Sequence, residues 1–359
     1  MKIVHILHSL RGGGIQNFLL SLASEQANTK DWVYVIVIDS FDSDYCYHLK
    51  NTLCRNNVKV YQLNKIRHNK TSLIKTLVKC RLAIKKIKPD IVNTHSEIGH
   101  FYGRMATIGT SIPQVITIHN TPENWNPILK LLCKNKPLIF CSQAAFQKRI
   151  QNSYTMTAID NGISRNIIHN NEFTDLRKEF HLSPDDKIII SVGSLRPQKN
   201  YIFIKKIVDQ LDCNNYHFFI CGGGATKEYN NELQEMKRYK NIHFLGLRKD
   251  ISAIENKADL FLSCAQYEGL PIAVLEAYFN GMPCVLSPIE QHIKISDVDY
   301  VWIPKSFTPK SFIECIKNAI NLNLDHDEIY EKRKEKIAYY SIQRTVKEYD
   351  EFYRKIIHS

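Results

Sequence analysis

Two glutamates set eight positions apart are the first residues whose types and spacing suggest chemistry. Glu268 and Glu276 stand in Tyr267-Glu268-Gly269-Leu270-Pro271-Ile272-Ala273-Val274-Leu275-Glu276-Ala277, just after the apolar run Leu260–Ser263. That run reads as a strand. The segment from Pro271 to Phe279 reads as a helix, because proline suits a first helical turn, where a missing N–H is no loss. Gly269 lets a ligand approach the backbone. The free N–H groups of such a helix start favour an anion or hydroxyl groups. One carboxylate lies just outside the helix and the other about one turn inside, so together they can accept hydrogen bonds from several hydroxyls of one polyol. The plain alternative is a strand–turn–helix with solvated glutamates, one of them favoured by the helix dipole.

Other strand ends carry compatible groups. Ser191-Val192-Gly193-Ser194-Leu195-Arg196-Pro197-Gln198-Lys199-Asn200 joins a strand to a helix. Gly193 permits close approach, and Arg196 and Lys199 supply two cations, a set suited to a diphosphate. Arg11-Gly12-Gly13-Gly14-Ile15-Gln16 follows the first strand and opens a helix, where glycine-rich loops cradle phosphates. It lacks the G-x-G-x-x-G fingerprint, since Asn17 holds the sixth position counted from Gly12, so NAD is not expected. His95 and His119 end neighbouring strand candidates, which favours a cleft site over two unrelated structural histidines. Cys221-Gly222-Gly223-Gly224 and Gly246-Leu247-Arg248 follow two further strands, as ligand-side loops or as simple turns.

Taken together, these motifs resemble the retaining family 4 glycosyltransferases of the two-domain GT-B fold. The Glu-x7-Glu spacing within EGLPIAVLEA is that family's most specific motif. The resemblance covers almost the whole chain and is strongest from about residue 187 to 290. It implies that Glu268 contacts the transferred sugar, that Glu276 holds the ribose diol of a nucleotide, and that the backbone of Gly269, Leu270 and Pro271 holds sugar or phosphate oxygens. It places His119 near the transferred sugar, Gly13 and Gly14 over the donor phosphates from the opposite domain, and the Arg248 loop beside the nucleobase. The family's Gly-Arg-x4-Lys loop is matched at Gly193 and Lys199. Ser194 stands where the arginine is expected, and Arg196 is displaced by two residues. The catalytic set expected on this basis is His119, Glu268, Lys199 and Arg196. Three Asp-x-Asp matches, at Asp42, Asp297 and Asp325, lie away from these motifs and read as solvated turns or element ends; no metal ion or cofactor is expected.

Such loops need strands to carry them. Apolar runs predict strands over Lys2–Leu7, Val33–Asp39, Val58–Leu63, Asp90–Thr94, Val115–His119 and Leu138–Ser142. Segments of helical period between them predict helices over Ile15–Glu25, Ser72–Lys88, His100–Gly109 and Gln143–Gln151. The alternation restarts after the turn signal Asp160-Asn161-Gly162 and the polar run Arg165–Asp175. Strands are predicted over Lys187–Val192, His217–Cys221, Ile242–Leu245, Leu260–Ser263 and Pro283–Leu286. Helices are predicted over Tyr201–Leu211, Lys227–Arg238, Pro271–Phe279, Pro309–Leu322 and Glu328–Tyr339. The expected fold is α/β, with two doubly wound Rossmann-like domains facing an interdomain cleft. An acceptor-binding domain would span 1–164 and a nucleotide-sugar-binding domain 165–341. A last helix near 342–356 would pack back on the first.

Length and composition agree. A chain of 359 residues exceeds what one core usually organises. No segment is apolar enough to span a membrane, the N-terminus has no cleavage site of a signal peptide, and ten scattered cysteines suggest reduced thiols in a cytoplasmic protein. The charge is divided: residues 1–160 carry 21 Lys and Arg against nine Asp and Glu, while residues 161–359 carry 27 of each. The basic helix Ser72–Lys88 has Leu73, Leu77, Ile84 and Ile87 for the core and six basic residues for solvent or for an anionic lipid surface. No nucleic-acid-binding signature accompanies it.

The resulting expectation is a metal-independent, retaining glycosyltransferase that uses a UDP- or GDP-linked sugar donor. Its acceptor would be a glycan or lipid-linked glycan in surface polysaccharide (capsule or lipopolysaccharide) or glycolipid synthesis. The alternatives are a nucleotide-sugar epimerase of the same fold and a non-catalytic glycan- or nucleotide-binding subunit.

Overall fold

Aliphatic runs with almost no polar side chains are stable as strands covered on both faces. β1 (Lys2–Leu7) buries five of its six residues and β2 (Trp32–Asp39) seven of eight. The structure is a computed structural model. It describes residues 1–359 apart from Gly12, Lys30, Asp42, 67–69 with the side chain of Lys70, 120–124, 144–145, 147–154, 165–173, 213–214 and 323–324. The sequence-predicted helix Gln143–Gln151 falls largely outside the described residues.

The chain divides into two compact units, Met1–Gly162 with Tyr340–Ser359, and Ile163–Tyr339. In the first, β1 and β2 join β3 (Lys59–Lys65), β4 (Ile91–His95), β5 (Gln114–Ile118), β6 (Leu138–Phe140) and β7 (Met156–Ala158). All pair in parallel, in the order β3-β2-β1-β4-β5-β6-β7. In the second, β8 (Lys187–Val192), β9 (Tyr216–Cys221), β10 (Ile242–Gly246), β11 (Leu260–Ser263), β12 (Cys284–Leu286) and β13 (Val301–Trp302) form a parallel sheet in the order β10-β9-β8-β11-β12-β13. Both are Rossmann-like. The strand order reverses between β1 and β4, and again between β8 and β11. Ligands of such sheets bind beyond the carboxyl ends of the strands at that reversal.

The last helix, Ile342–Ile357, completes the first unit. Ile342, Val346, Tyr349, Phe352, Tyr353 and Ile356 pack with Ile3 and Phe18 over Ile91, Val115 and Ile139. Each such side chain contributes roughly 1.5–3 kcal/mol when fully buried. The crossing point is fixed by the carbonyl of Asp160, which accepts from Arg344 Nη2 at 2.6 Å and Thr345 Oγ1 at 2.9 Å. A Cβ on Gly162 would lie 2.4 Å from the Ser341 carbonyl oxygen, so the residue where the units part must be small.

Several elements were not anticipated. β7 and β13 have three and two residues, too short for a period-2 signal. The helix Asp44–Arg55 begins at Ser43, whose side chain accepts from Cys46 N, and it buries Cys46, Leu49 and Leu53. The Asp42-Ser43-Asp44 segment is therefore in part a helix cap. Asp325 likewise caps the helix His326–Ile337.

Candidate active site

β8 and β11 are neighbours at the reversal of the second sheet, and their carboxyl ends carry the two most chemical loops. Ser191 Oγ donates to the Leu262 carbonyl at 2.7 Å and ties the strands together just below the loops. Lys199, in a 3₁₀ turn at Pro197–Lys199, reaches Glu268 at the far side: Nζ lies 2.5 Å from Oε1, with both side chains largely buried. Gln198 braces the same carboxylate, its Nε2 donating to Oε2 at 3.2 Å and to the Tyr267 carbonyl at 2.9 Å. Gln266 N donates to the Gln198 carbonyl at 2.9 Å. The two loops are thus locked to each other around one ion pair.

Glycines make this closeness possible. A Cβ on Gly193 would fall 2.9 Å from Lys199 Cε and 3.0 Å from the Tyr201 hydroxyl. A Cβ on Gly222 would fall 1.7 Å from the Gly193 carbonyl oxygen, so the loops after β8 and β9 touch backbone to backbone. Gly193 N donates to Cys221 O, and Gly222 N to Gly246 O, extending the lacing to β10.

Behind the ion pair lies a second carboxylate. Glu276 sits in the helix Ile272–Phe279, which begins one residue later than the sequence suggested, with Pro271 at the cap position. Burial pushes its carboxyl up to about 7, and the charge of Lys199 pulls the other way. Deeper still, Glu255 is fully buried and held well above the usual carboxylate range by burial and by the charge of Glu276; its Oε2 accepts from Asn280 Nδ2. One ion-paired and two burial-perturbed carboxyl positions beside the Lys199 ammonium suit a ligand bearing both hydroxyls and negative charge.

At the corresponding reversal in the first unit runs a row of neutral histidines, with the His8–Asp39 pair (3.2 Å) just beyond the end of β1. His5 on β1 and His95 on β4 face each other across the reversal, and His119 follows β5. His95 Nδ1 lies 2.8 Å from His119 Nε2, His5 Nδ1 lies 3.0 Å from His95 Nε2, and His5 Nε2 lies 2.8 Å from Gln26 Oε1. An amide oxygen only accepts, so His5 donates from Nε2. His95 then donates to His5, and His119 to His95. That order leaves His119 with a lone pair on Nδ1. Burial lowers His5 to about 4 and His119 to about 3. His95, fully buried, is lowered by burial first and then by its histidine neighbours. The row is uncharged at neutral pH.

Two family models match the chain. The family model described as Glycosyltransferase Family 4 matches residues 12–165, and the one described as Glycosyl transferases group 1 matches residues 172–341. The chain belongs to the family 4 glycosyltransferases. It is 23% identical over 285 residues to a Campylobacter jejuni enzyme, GalNAc-alpha-(1->4)-GalNAc-alpha-(1->3)-diNAcBac-PP-undecaprenol alpha-1,4-N-acetyl-D-galactosaminyltransferase, covering 78% of this chain and 77% of the relative. It is 26% identical over 265 residues to an Escherichia coli UDP-Gal:alpha-D-GlcNAc-diphosphoundecaprenol alpha-1,3-galactosyltransferase, covering 66% and 65%. Among solved structures it resembles Anabaena HepE in complex with UDP-glucose, with a TM-score of 0.80 and 17% identity over 99% of this chain and 100% of that one. The protein is therefore a glycosyltransferase of the GT-B type.

Within the second unit of this transferase, Gly193, Lys199 and Glu268 come together, and the charge of Lys199 reaches Glu276. Gly269 and Leu270 lie between the ion pair and the helix that carries Glu276. Ser194 is half-buried, whereas Arg196 is exposed and makes no ion pair among the described residues. Arg248 is elsewhere engaged. Its Nε and Nη2 donate to Asp250 at 2.9 and 2.7 Å, and its Nη1 and Nη2 donate to Glu179 at 3.1 and 3.4 Å. In the first unit, Gly13 caps the helix Gly14–Asn28, where a Cβ would meet Gln16 Oε1 at 2.8 Å; Gly14 has open space around it. The sequence alone assigns no role to Gln198, Glu255, His5 or Gln26. The last three lie in apolar runs or helices where a polar residue reads as a break in pattern, and that break was their signal.

Proposed function

We propose that this glycosyltransferase is a metal-independent, retaining enzyme. It would transfer a hexose or N-acetylhexosamine from a UDP- or GDP-linked donor to a glycan on a lipid carrier, in the synthesis of a surface polysaccharide or glycolipid. The observation that carries this reading is the Lys199–Glu268 ion pair at the reversal of the second sheet. Without a ligand, each group neutralises the other. With a donor, Lys199 turns to the diphosphate and Glu268 to the sugar hydroxyls. Glycosyl transfer builds positive charge on the sugar ring and negative charge on the departing diphosphate, so a fixed ammonium at the leaving group lowers the barrier. Arg196, on the same turn and exposed, is assigned as the second cation in place of the family arginine at Ser194. Glu276 accepts the ribose hydroxyls. Gly193, Ser194 and the backbone of Gly269, Leu270 and Pro271 line the donor, and Arg248 stiffens the loop beside its base. Gly13, Gly14 and His119 act from the first unit, the acceptor side, with His119 Nδ1 accepting from a sugar hydroxyl.

The two relatives named for diphosphoundecaprenol-linked substrates support a lipid-linked acceptor, and the UDP-glucose complex of HepE supports a uridine donor. Among the described residues no helix is long and apolar enough to cross a membrane. A cytoplasmic enzyme resting on anionic lipid through its basic first 160 residues would reach such an acceptor. Transfer assays with a nucleotide-sugar panel in excess EDTA test the reading. Turnover that persists in EDTA, with the anomeric configuration of the donor kept in the product, is the expected result; turnover that EDTA removes and Mg²⁺ or Mn²⁺ restores would refute metal independence.

A further inference from the structure

The helix Lys70–Ile87 buries Thr76, Cys80, Ile84 and Ile87, as an amphipathic helix over a sheet should. It also carries a second apolar row that faces away from the protein. Ile74 is 65% exposed, Val78 53% and Leu82 59%. At 100° per residue these three fall within about 80° of arc and span about 12 Å of helix. Lys85 lies among them on the wheel, and Lys75, Lys86 and Lys79 continue the exposed arc. The patch extends onto the next helix, Glu97–Thr107: Arg81 Nη1 donates to the carbonyls of Met105 and Ile108 at 3.3 and 2.9 Å, and Ile108 is 59% exposed. The Lys70–Ile87 segment contains no acidic residue.

Isolated exposed aliphatics are ordinary, but a row at helical spacing bordered by cations is the pattern of a surface that enters a bilayer interface. We propose that this face seats the enzyme on an anionic lipid bilayer, with Ile74, Val78 and Leu82 entering the acyl boundary and the neighbouring lysines holding the headgroups. Charge selects the occupant. A second copy docked on the same face would set lysines against lysines, whereas anionic headgroups complement them. The inference rests on the lipid docking proposed above and changes its basis, because apolar insertion survives salt that screens a purely ionic contact.

Sedimentation of the full chain with phosphatidylglycerol–phosphatidylethanolamine vesicles, and with phosphatidylcholine vesicles, at low and high salt tests it. Wild type binds the anionic vesicles, and part of that binding persists at high salt. Ile74→Ser, Val78→Ser and Leu82→Ser combined lose the persistent part and weaken low-salt binding at least about tenfold, with melting temperature and nucleotide-sugar-induced stabilisation unchanged. Lys75→Ala with Lys86→Ala reduces the preference for anionic over neutral vesicles. If the triple variant binds as wild type does, insertion is overturned while ionic docking stands. If wild type binds neither vesicle, both fall. A wild-type dimer that the triple variant dissolves would make the face a contact between copies and overturn the proposal. Donor-induced stabilisation reads the transferase assignment separately from all of these outcomes.

Discussion

The two sheets reverse strand order in the same way but arm the reversal with opposite electrostatics. At β8 and β11 the groups are an ammonium, its paired carboxylate and two further carboxyls raised by burial. At β1 and β4 they are histidines held neutral by burial and joined to a single amide. The first arrangement can answer a charge that appears during a reaction. The second, the histidine row itself, presents a fixed donor–acceptor pattern. A Rossmann-like scaffold thus specifies where a ligand goes, and the residues on the loops specify what is done to it.

Substitutions can break this contrast. The largest effect is expected at the charged reversal. Lys199→Ala, and equally Glu268→Ala, should cost about 3–4 kcal/mol of transition-state stabilisation, a loss of two to three orders of magnitude in kcat. His119→Ala removes one neutral hydrogen bond worth about 1–1.5 kcal/mol, so steady-state kinetics should show only about a tenfold loss. Equal losses at Lys199 and His119 would erase the distinction between the two reversals.

Next comes Gln26→Leu, which leaves a buried His5 N–H without its acceptor. Denaturant unfolding should show about 1–3 kcal/mol of destabilisation. An unchanged midpoint would mean that the row of histidines is not anchored at that end.

The carboxylates predict pH dependence. In its proposed role Glu276 would accept ribose hydroxyls best when ionised, and burial pushes its carboxyl up to about 7. Donor KM should therefore fall as pH rises from about 6 to 8, and Glu276→Gln should flatten that limb. The smallest effect concerns Glu255. A carboxyl whose folded pKa lies above its unfolded value withdraws stability as pH rises past the unfolded value. Glu255→Gln should thus raise the melting temperature more at pH 8 than at pH 5; the reverse order would show that Glu255 is ionised and needed so.

Much of this was legible from the sequence, for physical reasons that differ by element. β1, β8 and β11 were read to the residue because an aliphatic run flanked by polar residues has few other places to go. Glu268 and Lys199 were legible because glycine and proline mark the strand-end loops that carry them. Their contact was not, since 69 residues separate them and only the adjacency of β8 and β11 closes that distance. The outward row at Ile74, Val78 and Leu82 was missed because it shares its period with the core-facing row at Leu73, Leu77 and Ile84. Periodicity reports that a helix has apolar faces, not which of them meets the sheet. The histidine row was half seen: His95 and His119 end strands, but His5 sits inside β1, where alternation is silent on a sheet covered on both sides.

The return of Ile342–Ile357 to the first unit has a consequence for biogenesis. Tyr349 and Tyr353 belong to the same core as Ile3 and Phe18, about 340 residues earlier in the chain. On a ribosome, the first sheet must wait with one flank uncovered while the whole second unit is made, and at roughly 5–20 residues per second that interval is about ten seconds or more. Nascent chains stalled before residue 342 should then be the species that chaperones hold and proteases cut, even though every strand of both sheets has already emerged.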